Sequence, residues 1–230
     1  MGILQVVKKI VEIIKKMKKV LLLGDSIRLG YEKYVKESFQ DFAEIYAPNE
    51  NCAFSQYMLR WVSEWKRKEN YPDDIDLVHW NVGLWDVLRI MDDGTFTTPE
   101  YYAYTLERLH HRLELLFPKA KQVFALSTAV VEEKYEPPYQ RYNKDIEQFN
   151  EIAIKTLSPL GVKINDLYTL TKNASEECRS DMTHFYTPVG IKLVGDKVLD
   201  CICDELDIPL SQLKDVSATV PTLSKEIVGR

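Results

Sequence analysis

Five short apolar runs, separated by stretches with helical spacing, constrain the fold of this chain more than any other feature. Lys19–Leu23 (KVLLL) stops at Gly24, and Glu44–Ala47, Ile75–Trp80 (IDLVHW), Gln122–Leu126 (QVFAL) and Val162–Ile164 follow it. Bounded apolar runs of this length read as strands. Phe54–Lys68 reads as a helix. Thr98 and Pro99 open another, as N-cap and first helical residue, and Leu106, Leu109, Leu113 and Leu116 form its apolar stripe. Ile146, Phe149 and Ala153 mark the next, and Thr187-Pro188 opens a last long helix in which Leu193, Val198 and Ile202 are apolar. Strands that alternate with helices require crossover connections, nearly always right-handed, and these cover both faces of a parallel sheet.

The expected fold class is therefore α/β: a three-layer α/β/α sandwich around a flavodoxin-like parallel sheet of about five strands. In such sheets ligands lie outside the carboxyl ends of the strands. At 230 residues, one domain is the default. We expect an amphipathic N-terminal helix over 1–18, the α/β domain over 19–206 and a C-terminal extension over 207–230. In the first segment Ile3, Val6, Val7, Ile10, Ile13 and Ile14 recur at helical spacing, while lysines interrupt any run a signal peptide would need. That helix either packs on the domain or lies on a membrane surface. No run is long enough for a transmembrane segment. Without a secretory signal the chain is expected to be cytoplasmic, with Cys52, Cys178, Cys201 and Cys203 as reduced thiols. A net charge of −5 gives no basic footprint for nucleic acid. His79, His110, His111 and His184 form no H-x-x-x-H or H-x-H pattern and no cysteines form C-x-x-C, so no metal is expected. No P-loop, G-x-G-x-x-G fingerprint or G-x-S-x-G elbow occurs, and no cofactor is expected.

Two places carry chemistry. Gly24-Asp25-Ser26 follows the first strand, where a serine at a helix start receives the positive end of the helix. By itself it reads equally as a turn with Asp25 or Ser26 as a cap. Asp181-Met182-Thr183-His184 lies just before the last long helix. A histidine can take a proton from a serine when a carboxylate holds its ring in one tautomer, and here one short segment supplies both groups. Alone, His184 reads first as a surface residue of a polar loop.

In combination, G-D-S-I after the first strand and D-x-x-H before the last helix resemble blocks I and V of the SGNH (GDSL-like) hydrolase family, of lipase/acylhydrolase or acetylesterase type. Arg141-Tyr142-Asn143 opening a helix, Asn165-Asp166-Leu167-Tyr168 after the fifth strand, and Thr187-Pro188-Val189-Gly190 after the histidine are also similar to members of that family. The likeness runs from residue 18 to residue 206. It implies Ser26 as nucleophile, His184 as general base then acid, and Asp181 as its orienter. Two blocks depart from the pattern. Block II usually holds a Gly whose backbone N–H binds the oxyanion; Asn49–Ser55 has none, and Cys52 is the best match. Block III is usually G-x-N-D with the Asn as a second donor; here it is Gly83-Leu84-Trp85-Asp86. Losing one such donor typically costs about 10²–10³ in rate. The expected oxyanion donors are the Ser26 and Cys52 N–H groups with Asn51 or Asn81, and the Trp85 indole N–H is a further candidate.

The resemblance implies a serine ester hydrolase whose partner is a small-molecule acyl ester. The competing readings are a non-catalytic binding module on the same fold, and a lipase or thioesterase for longer acyl chains. Asn49, Glu50, Asn51, Trp85, Arg89, Asp92, Asp93 and Tyr186 give the expected site loops a mixed polar and aromatic character, with Trp85, Arg89 and Tyr186 as substrate-binding candidates. That mixture suits a small acyl group on a polar carrier, with an O-acetylated carbohydrate as one candidate.

Overall fold

The computed structural model describes residues 17–220. The expected helix over 1–18 lies almost wholly outside the described residues, and Lys18 already opens the first strand. β1 (Lys18–Leu23), α1 (Ser26–Ser38), β2 (Ala43–Tyr46), α2 (Ser55–Lys68) and β3 (Leu77–Trp80) begin a regular alternation. After a short strand β4 (Arg89–Ile90) come α3 (Pro99–Leu116), β5 (Lys121–Ala125), the short β6 (Tyr139–Gln140), α4 (Asn143–Leu157) and β7 (Lys163–Asn165). The short α5 (Leu167–Lys172) and the long α6 (Pro188–Leu206) complete the domain.

β2, β1, β3, β5 and β7 form, in that order, one five-stranded sheet, and every neighbouring pair is parallel. Val20 to Leu23 have no exposed surface, as central strands covered on both faces require. The edge strand β2 instead alternates, with Ala43 and Ile45 buried and Glu44 exposed. α1 packs against α6, whereas α2 packs on α3 and α3 on α4, which gives a helical layer on each face. This is the expected three-layer α/β sandwich.

The local signals work as anticipated at the helix starts. Thr98 Oγ1 accepts from Tyr101 N and Thr187 Oγ1 from Gly190 N, each with proline at the first helical position. Leu106, Leu109, Leu113, Ile146, Phe149, Ala153, Val198 and Ile202 are all buried, while Leu116 and Leu193 are partly so. Two further features were not anticipated. β4 and β6 pair antiparallel beside the main sheet, with Arg89 opposite Gln140. Residues 209–220 return to the domain: Val216 is buried and Lys214 N donates to Ser38 O at 3.2 Å.

Strand order reverses between β1 and β3, because β1 leads out to β2 on one side and β3 leads to β5 and β7 on the other. The segments that leave β1 and β3 at their carboxyl ends, Gly24–Ser26 and Asn81–Asp86, therefore flank a crevice.

Candidate active site

Ser26 is the first residue of α1. Asp25 is its N-cap, and Asp25 Oδ1 accepts from Ile27 N at 2.9 Å. The Ser26 N–H belongs to the first turn, where no intrahelical acceptor exists. Gly24 has to be glycine: a Cβ there would stand 2.0 Å from Asn81 Oδ1 and 2.8 Å from Arg28 Cβ.

His184 comes from the loop before α6, across the crevice. Its Nε2 lies 2.9 Å from Ser26 Oγ. Its Nδ1 lies 2.9 Å from Asp181 Oδ2 and 3.0 Å from Oδ1. The same Oδ1 accepts from Thr183 N at 2.8 Å and His184 N at 2.9 Å, which fixes the carboxylate. Burial pushes the Asp181 carboxyl up, but the His184 hydrogen bond, the His184 charge and the two backbone N–H groups outweigh it and hold Asp181 well below the usual carboxylate range. Tyr186 stacks beneath His184, with ring centroids 4.7 Å apart, and donates its hydroxyl to Ser26 O at 2.6 Å. The loop is tied to the body by Val131 N donating to Met182 O at 2.9 Å and by the Tyr135 and Thr183 hydroxyls at 2.6 Å. A serine hydroxyl bonded to an imidazole whose other nitrogen faces a fixed carboxylate can give up its proton as it attacks an electrophile.

Ser26 and His184 open onto a cavity of about 610 Å³. Its wall comprises Leu84, Trp85 and Leu88 after β3, Lys134, Tyr135, Glu136, Tyr139 and Arg141 from the segment before α4, and Met182 and Thr183. Of the residues expected to contact substrate, Trp85 is on this wall. Arg89 is not: it pairs with Asp145 at 2.8 Å and Asp92 at 3.4 Å. Tyr186 is buried under His184, where it props the imidazole and the Ser26 carbonyl. Asn49 and Glu50 are also spent elsewhere, Asn49 on Glu69 and Glu50 on Tyr57 and Trp65.

The expected oxyanion donors separate. Cys52 N donates to Gly24 O at 3.0 Å, so this N–H braces the turn before Ser26 and is not free for a ligand. The next residue, Ala53, adopts the left-handed conformation (φ 49°), and its N–H goes to Asn51 Oδ1 at 2.8 Å. Asn81 lies over Gly24 beside Asp25, and none of Asn51, Cys52 and Asn81 lines the cavity. Burial raises the Asp25 carboxyl, opposed by Ile27 N–H, Asn81 and the charges of Arg141 and His184. Asp86, last of the Gly83–Asp86 segment, is buried and accepts from Ser55 Oγ at 2.6 Å and Thr97 Oγ1 at 2.8 Å. Burial pushes its carboxyl up to about 6 against these bonds.

Sequence reasoning did not single out Tyr135, Tyr139, Leu84 or Leu88, and it took Arg141 only as part of a helix start. The segment 127–142 has no periodicity to read. The available signal was its aromatic content beside Arg141.

No family model matches this chain, and no curated protein does. Solved structures do. The chain is similar to a lipase/acylhydrolase from Enterococcus faecalis, with 19% identity over 86% of this chain and 98% of that one and a TM-score of 0.62. It is similar to the acetyl xylan esterase AlAXEase, with 19% identity over 80% and 99% of the two chains and a TM-score of 0.63. A GDSL-like lipase from Bacteroides thetaiotaomicron shares 16% identity over 83% and 90%, with a TM-score of 0.61. The chain thus has the fold of the SGNH, or GDSL-like, hydrolases that its motifs resemble. Among the described residues no helix is long and apolar enough to cross a membrane.

Proposed function

We propose that this protein is a serine ester hydrolase working through an acyl-enzyme. The observation that carries the reading is the Ser26 Oγ to His184 Nε2 to Asp181 chain, with links of 2.9 Å, at the mouth of a ligand-sized cavity. Ser26 Oγ attacks the ester carbonyl carbon while its proton passes to His184 Nε2. The tetrahedral intermediate expels the alcohol, whose oxygen takes that proton back from His184. Water then repeats the sequence on acyl-Ser26, releasing the acid. Asp181 holds the imidazole in the tautomer that accepts at Nε2 and stabilises the imidazolium. The Ser26 N–H and the positive end of α1 support the oxyanion. Both the lipase/acylhydrolase and the esterase of this fold support the assignment of an ester substrate.

For the substrate we propose a small acyl group on a polar carrier, O-acetylated carbohydrate being one such. Trp85, Tyr135 and Tyr139 offer aromatic faces beside Lys134, Glu136 and Thr183 on the cavity wall. Leu84, Leu88 and Met182 on the same wall favour a second reading, a longer acyl chain. The test is hydrolysis of 4-nitrophenyl acetate together with labelling by a fluorophosphonate, which reacts only with an activated serine. Both are expected in the wild type and neither in Ser26→Ala. Turnover by Ser26→Ala at the wild-type level would remove the nucleophile.

A further inference from the structure

We propose, resting on the ester-hydrolase reading above, that the substrate carries a compact anion, a carboxylate or phosphate, which Arg141 binds. Arg141 stands on the wall of the cavity that holds Ser26 and His184. Two of its nitrogens are fixed: Nε donates to Leu84 O at 2.5 Å and one terminal nitrogen to Tyr135 Oη at 3.2 Å. Those bonds aim the guanidinium and leave the other terminal nitrogen, Nη2, with no protein acceptor among the described residues. Of the other arginines near this region, Arg89 is neutralised by Asp145 and Asp92, Arg28 by Glu32, and Arg179 is spent on Ala129 O and Thr171 O. Arg141 forms no ion pair among the described residues. Its charge is felt by Asp25, a carboxyl without exposed surface that already has Ile27 N–H and Asn81 beside it.

The remaining charges on the wall do not satisfy it. Lys134 is paired with Glu176, and Glu136 is exposed to water, where a charge is well solvated. A half-buried guanidinium held by Leu84 O, the Tyr135 hydroxyl and the Tyr135 ring, with no ion-pair partner among the described residues, presents a positive charge that an anionic group of a ligand in the cavity can pair with. Its planar fork matches a carboxylate or phosphate better than a lysine would.

The experiment uses two matched pairs of esters. Mono-4-nitrophenyl glutarate against 4-nitrophenyl pentanoate places a carboxylate on the acyl side. 2-Acetoxyethyl phosphate against 2-acetoxyethanol places a phosphate on the alcohol side. Wild type is expected to prefer the anionic member of at least one pair in kcat/KM, and Arg141→Gln to reduce that preference about tenfold to a hundredfold, mainly through KM. Arg141→Lys should restore part of it, and salt should weaken it. The readout is the ratio within a pair, because a purely structural role of Arg141 would slow both members alike. Equal loss on both members, or no preference in either pair, overturns the proposal. A second measurement separates this from failure of the hydrolase reading: Ser26→Ala should bind glutarate or 2-hydroxyethyl phosphate by calorimetry, and Ser26→Ala/Arg141→Gln should not. Equal binding by both proteins also overturns it.

Discussion

Replacing Asp181 by asparagine tests the Ser26–His184–Asp181 chain at the link that sequence alone supports least. Both backbone donors to this side chain, Thr183 N and His184 N, fall on Oδ1. Asparagine can keep that oxygen in place, so the loop keeps its anchors. What changes is the other atom. Oδ2, 2.9 Å from His184 Nδ1, becomes an amide that donates. The imidazole must then accept at Nδ1 and carry its proton at Nε2, pointing at Ser26 Oγ, and a protonated Nε2 cannot act as base. The same change in a serine protease lowers kcat by about 10⁴, roughly 5–6 kcal/mol of barrier. We expect a loss of that order here on 4-nitrophenyl acetate, with a circular-dichroism spectrum and Tm close to wild type. Activity within tenfold of wild type in folded Asp181→Asn protein would refute the assigned tautomer and with it the role of Asp181. A collapse of Tm would instead mean that the negative charge, and not the hydrogen-bond geometry, holds the loop.

Four further outcomes are expected. His79 lacks exposed surface, and burial lowers its pKa to about 4; the unfolded chain protonates it near 6.5, so stability is lost as pH falls from about 6.5 to 4. Between pH 7 and 5 this amounts to about 2 kcal/mol, and urea titrations should show His79→Gln losing that much less than wild type. Tyr186→Phe removes the hydroxyl bonded to Ser26 O and should lower kcat about fivefold, a neutral hydrogen bond being worth about 1 kcal/mol; an unchanged kcat would leave the hydroxyl no role in positioning Ser26. EDTA should leave ester hydrolysis unchanged, since every proposed step uses protein groups and water; strong inhibition would point to a metal. Across acetyl, butyryl, octanoyl and palmitoyl esters kcat/KM should fall with chain length, and a steady rise would move the protein to the longer-chain reading favoured by Leu84, Leu88 and Met182.

The sheet was legible because its physics is local and repetitive. A strand buried on both faces is apolar along most of its length, and the VLLL and VFAL stretches of KVLLL and QVFAL say so without reference to any partner. Thr98-Pro99 and Thr187-Pro188 announce helix starts because an N-cap and a proline solve the same problem, the unpaired first-turn N–H groups. The β4–β6 pair was not legible: two residues on each side have no period, and the pairing of Arg89 with Gln140 spans a separation that only the fold closes.

The site divides along the same line. Ser26 was readable because it stands where a strand turns into a helix, and the Asp181–His184 pair because one short segment before α6 carries both groups. The oxyanion donors were not, because whether an N–H is free depends on where every nearby carbonyl ends up. Cys52 follows β2 as the expected donor should, yet Gly24 O comes within 3.0 Å and accepts its N–H. The same shift of partners explains Arg89 and Arg141. Both are arginines near the site in sequence terms, and charge counting cannot tell them apart. Once folded, Asp145 on α4 and Asp92 neutralise one, while the other has a carbonyl, a tyrosine hydroxyl and the face of that tyrosine as partners and no carboxylate paired with it among the described residues. With the Cys52 N–H committed to Gly24 O, the hydrolase we propose draws its transition-state stabilisation from the Ser26 N–H, the α1 dipole and the binding energy of the remote part of the substrate. That makes turnover of minimal esters slow and raises kcat/KM for the fully anchored substrate, a contrast that the matched ester pairs measure directly.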